Sequence, residues 1–419
     1  MNEDKEFETA GPVPVSGMWR ALGSRNYRLW FGGQFVSLVG LWMAHVAMGW
    51  LVYRMTGSKL LLGTVAFAGQ IPAFFLGPVA GVMIDRWDLR RTLIITQGLA
   101  AVQAAALAAV VISGVVEVWQ VIALAAALGV INAFDMPARH AFVVQMVERR
   151  EDLPNAIALN SSLFNASRLV GPAVAGVLVA TAGEGICFAL NAVSFAAVIV
   201  ALWMMRVRPT PRRERKHILH ELAEGLRFVW RRRQIRTILG MIAVVSLIGI
   251  PYGVLMPVFA RDILHGGPRT LGLLTTATGV GALAGGLMLA ARRSTATLHR
   301  GFGVAAGALG VGLVGLSMAR ELWMTLAVLP VIGFAAVSVV AAGNTLMQTE
   351  AEDENRGRVM ALFSMAFQGI MPLGSLLAGA AAQTRLGAPG TVAVGGACCI
   401  VASIVFLALR QKHESKDQT

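Results

Sequence analysis

Long apolar runs alternate with short polar ones from Tyr27 to Arg410. About twelve of them are long enough to cross a bilayer, whose hydrocarbon core of roughly 30 Å takes about 20 helical residues. They fall at 28–52, 61–84, 92–114, 118–136, 156–181, 185–205, 237–260, 271–291, 301–319, 323–346, 358–382 and 391–409. No water reaches the bilayer interior, so each backbone N–H and C=O must be satisfied inside its own segment, and the runs must be helices. The pattern predicts an all-α membrane protein of twelve transmembrane helices. Residues 1–17 are polar and mixed in charge, without the pattern of a cleaved signal. The first helix is therefore expected to serve as an uncleaved signal anchor.

The longest polar interruption, 206–236, separates six spans from six. The expected units are an N-terminal six-helix bundle over 1–205, a central loop over 206–236, and a C-terminal six-helix bundle over 237–419. Within the loop, Ile218, Leu222, Leu226 and Val229 share one helical face. That spacing suits a short amphipathic helix on the membrane surface, and equally a solvated linker with some helical tendency. The halves show faint self-similarity: Gly81 and Gly281, Asn155 and Asn355, and Pro172 and Pro372 each recur 200 residues apart. Parallel six-helix repeats with a substrate site between them at mid-membrane describe one large transporter architecture.

Charge sharpens the picture. Hydrophobic residues make up 56% of the chain and charged residues 14%, against about 25% charged in a soluble domain. The net charge of +13 is unevenly placed. Most Lys and Arg fall in loops on one side of the spans. The other side holds Arg54, Lys59, Arg261, Arg269, Arg320 and Arg385, and Arg168 lies inside a span. Basic loops stay cytoplasmic, so both termini are expected in the cytoplasm. The basic excess is then an orientation signal, and no nucleic-acid partner is expected. Trp30, Trp50, Trp119, Trp203 and Trp323 fall near span ends, where amphipathic rings favour the headgroup region. Cys187, Cys398 and Cys399 lie in apolar runs, with neither metal spacing nor a disulfide framework.

The segment GPVAGVMIDRWDLRRTLIITQ follows the second helix. Gly77 and Gly81 share a face and would allow close helix contact. Asp85 and Arg86 end the helix, and Arg90 and Arg91 open the next. Asp85 at a neighbouring helix N-terminus would meet a favourable dipole, and the arginines would meet carboxylates such as Asp88 or Glu148. Together they would form a latch that closes the cytoplasmic side in one state. The spacing resembles the signature of the major facilitator superfamily. Asp88-Leu89 in place of the usual Gly-Arg looks like the branch of macrolide, tetracycline and catechol-siderophore exporters. The second half keeps Gly281, Arg292 and Arg293 but has Gly285 where an acid is expected, so a latch there would be weaker.

The fourth and fifth helices resemble the siderophore-exporter and secretion-effector branch through Asn132, Phe134, Asp135, Pro137, Arg139, Asn155, Ala156, Asn160, Arg168, Gly171, Pro172 and Gly176. Ser167, Gly171, Ala175 and Gly176 make a small-residue face for tight helix contact. Pro172 lacks an N–H and frees the Arg168 carbonyl, so a bend is expected; Pro372 does the same to Gln368. These positions read as a hinge or as part of the coupling machinery. Arg168 at membrane depth costs at least ~2.5–3.5 kcal/mol and marks a functional position by default. It could hold an anionic substrate, pair with a carboxylate, or bond backbone carbonyls around the bend.

Gln34, His45, Asn132, Asp135, Arg139, Asn160 and Asn165 are candidates for a central cavity or for proton coupling. Arg139, one turn after Asp135, is placed to neutralise it. A His can titrate near neutral pH, but a lone His near a helix end is more often structural. No clear proton carrier emerges, so antiport rests on the resemblance. The resemblance implies a monomeric exporter of amphipathic small molecules in the bacterial inner membrane, drug- or siderophore-like in substrate and driven by the proton gradient through alternating access. No cofactor is expected. The chain has no phosphate-binding Gly-x-x-x-x-Gly-Lys loop, so an ion gradient is the expected energy source. A nutrient importer or a lysophospholipid or lipid flippase of the same fold is the alternative. A polytopic enzyme would need clustered His, Asp or Glu, and the seven histidines form no such cluster.

Overall fold

The computed structural model describes residues 19–147, 149–206, 227, 229–230, 232–291, 297–352 and 355–417, with the side chains of 78, 82, 85, 150, 290, 291 and 411–417 excepted. The expected helix in the central loop lies almost wholly outside the described residues. Twelve helices are long and apolar enough to cross a membrane. They are α1 (Arg25–Thr56), α2 (Lys59–Arg86), α3 (Leu89–Ile112), α4 (Val118–Met146), α5 (Leu153–Ala182) and α6 (Glu184–Met204) in one half. The other half holds α7 (Arg233–Ile263), α8 (Pro268–Ala291), α9 (Leu298–Met318), α10 (Leu322–Glu350), α11 (Arg356–Gln383) and α12 (Gly387–Asp417).

Within the first bundle α1 packs on α5 and α6, α3 on α4 and α6, and α2 on α4. Within the second, α8 packs on α10, and α9 on α10 and α12. The bundles meet along two helix pairs, α2 with α11 and α5 with α8. Lipid gives helices no hydrophobic reason to associate, so association relies on close backbone approach at small residues. Each pair has such a point. A methyl group built on Gly272 of α8 would lie 2.6 Å from the Cα of Gly176 on α5, and one on Gly379 of α11 would lie 3.0 Å from the Cα of Gly63 on α2.

These contacts are one-sided. The start of α1, the end of α12 and most described arginines lie at one end of the bundles, here called the basic end. The inter-bundle approaches at glycines start at the opposite, far end and run past mid-helix on one seam and to mid-helix on the other. They run from Gly63 and Gly379 to Phe74 and Gly369 on one side, and from Gly176 and Gly272 to Asn165 and Gly286 on the other. Polar ties follow the same rule. Among the described residues, those at the basic end stay within a bundle: Arg20 with Asp152 at 3.1 Å, Tyr27 donating to the Ala156 carbonyl, and His299 with Glu350 at 3.1 Å. The ties described between the bundles, Tyr53–Asp262, Arg261–Tyr53 and Lys59–Gln383, lie at the far end.

Two expectations need correction. Trp30 and Trp50 are core residues, 1% and 8% exposed, because the α1 face that carries them packs on neighbouring helices; Trp119, Trp203 and Trp323 are exposed at helix ends as expected. A methyl on Gly77 or Gly81 would meet nothing within 4 Å, because contact between α2 and α11 stops short of them. The α5 helix runs unbroken through Pro172, from Leu153 to Ala182. The irregular helices are α7 and α11. The former passes through π and 3-10 turns at Val245–Gly249 and Ile250–Leu255 around Pro251 and Pro257, and the latter has a π turn at Met365–Gly369 just before Pro372. Proline removes a backbone donor, and the ladder adjusts locally to satisfy the freed carbonyls.

The repeat-related glycines Gly81 and Gly281 therefore differ in environment. A methyl on Gly281 would overlap the Pro330 carbonyl oxygen at 1.8 Å, while one on Gly81 is free. Gly281→Val is expected to lower the melting temperature of the detergent-solubilised protein, by the equivalent of about 1–3 kcal/mol of overpacking. Gly81→Val should leave it unchanged. Thermal unfolding followed by intrinsic fluorescence separates the two.

Candidate functional site

At the level where the bundles part, α5 presents Arg168 near its midpoint. The guanidinium lies over the indole of Trp42, with Cζ 5.6 Å from the ring centroid. Trp42 is at the midpoint of α1, and its ring meets Phe164 edge-on at 5.5 Å. On the α8 side, Gly279 approaches the Arg168 carbonyl, and a methyl built there would lie 3.1 Å from it. The cation thus lies against an aromatic pair, Trp42 and Phe164, close to where α8 meets α5. Among the described residues Arg168 has no carboxylate partner, and the Trp42 Nε1–H, also buried, has no acceptor.

The local sequence explains this placement. Gly171 lets α1 seat closely: a methyl there would lie 2.5 Å from the Trp42 Cβ. The Arg168 carbonyl that Pro172 deprives of a helical donor faces Gly279 of α8, where a methyl would lie 3.1 Å away. Gly171, Pro172 and Gly176 thus line the surfaces on which α1 and α8 pack. Ile157, Phe164 and the Ser161 side chain continue the Arg168 stripe toward the basic end and are exposed, Ile157 at 55% and Phe164 at 45%.

A second polar group lies inside the first bundle, between α3 and α4. Asp135 is 1% exposed. It accepts from Thr96 Oγ1 and Gln97 Nε2, both at 2.8 Å, and forms an ion pair with Arg139. Two hydrogen bonds and a cation compensate a carboxylate that burial would otherwise penalise. The pair does not meet Arg168. Among the described carboxylates outside this pair, all lie at or beyond helix ends.

The other sequence candidates are scattered. Gln34 is buried with no partner for either amide atom. His45 donates from Nδ1 to the Leu41 carbonyl one turn back, at 2.8 Å. Asn132 and Asn160 are half-buried. Asn165 donates to the Ser161 carbonyl at 2.9 Å and its amide nitrogen approaches Gly286 of α8. Gln368 is exposed in the π turn of α11, and Pro372 is buried at the start of the regular helix that follows.

In the α2–α3 turn, the Asp85 side chain and Glu148 lie outside the described residues. Asp88 accepts from the Arg91 amide at 2.8 Å and caps α3, so it is not an ion-pair partner. Arg90 binds the last carbonyls of α6, Leu202 at 2.7 Å and Trp203 at 2.9 Å, where a cation suits the dipole. Arg86 and Arg91 are not buried. The turn is thus anchored to its own bundle, with no described contact to the other.

The far end carries a closure that sequence reasoning missed. Tyr53 of α1 donates its hydroxyl to Asp262 of α7, and Arg261 reaches back over the Tyr53 ring, 5.8 Å from its centroid, to the Tyr53 carbonyl at 3.3 Å. The Lys59 amide donates to Gln383 Oε1 at 3.0 Å across the α2–α11 pair. Arg54 and Glu184 pair at 2.8 Å beside it. The available signal was an acid–base doublet, Arg261-Asp262, at one span end and a tyrosine at another. For Trp42 the signal was position alone, near mid-span.

The family model described as transmembrane secretion effector matches residues 16–419. A multidrug efflux pump, Tap of Mycolicibacterium fortuitum, is 29% identical over 80% of this chain and 83% of its own. The staphyloferrin A transporter of Staphylococcus aureus is 24% identical over 93% of this chain and 97% of its own. Among solved structures, the nucleoside transporter NupG superposes with a TM-score of 0.69 at 12% identity, covering 91% of this chain and 98% of that one.

Separating Asp135 from Arg139 should be strongly destabilising, since removing one member of a buried pair typically costs about 3–5 kcal/mol. Arg139→Gln alone is expected to lower the melting temperature well beyond the Asp135→Asn/Arg139→Gln double substitution, which leaves no uncompensated charge. Equal or additive losses in a double-mutant cycle would show that the two do not interact.

Proposed function

The chain belongs to the transmembrane secretion effector family of major facilitator transporters, multi-pass proteins of the bacterial inner membrane, and from that premise we propose that it exports amphipathic small molecules by alternating access. The exporter reading draws on relatives that are efflux pumps and a siderophore transporter. The observation that carries alternating access is the one-sided closure. The close approaches at glycines between the bundles run from the far end to Phe74–Gly369 and Asn165–Gly286, and the polar ties described between them, Tyr53–Asp262 and Lys59–Gln383, lie at the far end. The basic end is cytoplasmic by its arginine excess, so this conformation admits substrate from the cytoplasm or the inner leaflet.

The return stroke closes the basic end and breaks the far clamp. The exposed glycines of α2 take their place in that stroke: Gly77 and Gly81 have no neighbour here and offer a smooth face for the second half to close on. Asp85, beside them, acts as the latch by accepting from the N-terminus of α11. Arg90 holds the α2–α3 turn rigid on α6 so that the latch moves with its bundle. Energy comes from the proton gradient. The carboxylates in play are Asp262, whose clamp must open, and Asp135, which is buried against Arg139.

Energised everted vesicles containing the protein are expected to accumulate amphipathic dyes, and collapse of the proton gradient should stop it. Asp85→Asn should reduce the initial rate by about tenfold, the equivalent of 1.4 kcal/mol, with the amount of inserted protein unchanged. Accumulation of no dye in a panel of anionic, neutral and cationic members contradicts the exporter reading. A wild-type rate in Asp85→Asn contradicts the latch.

A further inference from the structure

We propose that the junction of Arg168 and Trp42, where Gly279 of α8 meets α5, is a binding subsite for the acidic group of an amphipathic anion, with an aromatic or flat apolar body lying against Trp42 and Phe164. The inference deepens the exporter reading and rests on it for the identity of the ligand as cargo.

Three observations converge on the same point. A guanidinium at the midpoint of α5 has no anionic partner among the described residues, although an arginine at this depth costs at least ~2.5–3.5 kcal/mol without compensation. The buried indole N–H of Trp42, against the same guanidinium, has no acceptor. Two adjacent donors, one charged, thus lack acceptors, and a carboxylate supplies two acceptor oxygens to a guanidinium in a matched geometry. The surroundings are aromatic and lie at the seam: Trp42 and Phe164 on α1 and α5 form the face, and Gly279 of α8 approaches the Arg168 carbonyl. The cation–π contact holds the guanidinium in place by about 0.5–2 kcal/mol, less than an ion pair in a low dielectric would add, so it positions Arg168 without satisfying it.

The protein itself does not fill this role. Asp135 is held by Arg139, Thr96 and Gln97. Asp262 and Glu184 are engaged at the far end with Tyr53 and Arg54. Along the stripe of α5 that carries it, exposure is confined to one side of Arg168. Exposed Phe164, Ser161 and Ile157 lead from the basic end to Arg168, and beyond it the Gly176–Gly272 contact closes the way. An acidic amphiphile entering from that end meets the cation where the two halves join. Neutralising Arg168 there gives the ligand contact with both bundles, as a transported molecule requires.

The test uses three matched probes on the purified full-length protein in nanodiscs: 2-naphthoate, neutral 2-naphthamide and cationic 2-naphthylmethylammonium. By calorimetry, naphthoate is expected to bind at least about tenfold more tightly than either of the others, a difference of 1.4 kcal/mol. Arg168→Gln should abolish the preference, Arg168→Lys should retain part of it, and Trp42→Leu should weaken naphthoate binding. Melting temperatures identify any variant that has not folded, and Arg168→Lys keeps the charge should Arg168→Gln fail to fold. Equal binding of the three probes, no binding of naphthoate to the folded protein, or a preference that survives Arg168→Gln overturns the subsite. Dye export is measured in parallel in everted vesicles. Export of cationic dyes at equal rates by wild type and Arg168→Gln, with no naphthoate preference, sinks the subsite and leaves the exporter standing. An Arg168-dependent preference without export of any dye does the reverse.

Discussion

Backbone meeting backbone, at glycine, joins the two halves of this protein. In water, apolar faces associate because water expels them; in lipid that drive is missing, and association depends on how closely chains can approach. The two inter-bundle seams each use a glycine against a glycine, Gly176 with Gly272 and Gly63 with Gly379. Both lie toward the same end, and the seams are related by the internal repeat, since the second and fifth helices of one half meet the fifth and second of the other. The seams can part without exposing polar backbone to lipid, because each helix keeps its own hydrogen bonds.

Polar groups divide along the same line. Those with no change to undergo are paired inside a bundle: Asp135 with Arg139, Arg90 with the end of α6, Tyr27 with Ala156. Those that bridge the bundles are few and lie at the far end, where Tyr53, Asp262 and Arg261 interlock. Arg168 belongs to neither group. It sits where the seams end, held by an aromatic face and without a counter-charge among the described residues. A rigid bundle on each side, a glycine seam between and an unsatisfied cation at the junction form a consistent set of parts for a carrier.

The fold was legible in the chain because its signal is repeated over hundreds of residues: the apolar runs gave twelve helices, and the long polar break gave the division. Pairwise detail was less legible. Gly77 and Gly81 carry the same spacing as a contact motif, yet have no neighbour, because spacing reports what a face permits and not which conformation presents it. Trp30 and Trp50 sit near span ends but turn inward, since side-chain direction depends on helix rotation, which depth does not fix. Arg168 stood out from its sequence cost alone. Trp42 did not, for an aromatic in an apolar run carries no mark until its neighbours are known. The Tyr53–Asp262 clamp joins residues more than two hundred positions apart and needed the three-dimensional arrangement.

Spin-label distances across one helix pair test the central claim most directly. Labels at Leu60 and Leu386 report the far end of the α2–α11 seam, and labels at Val79 and Ala361 report its basic end. In resting nanodiscs the far pair should give a short, narrow distribution and the basic pair a longer one. Conditions that drive the second state should lengthen the first and shorten the second. If both pairs move in the same direction, or the basic pair stays fixed while transport proceeds, the two halves do not rock about a shared centre.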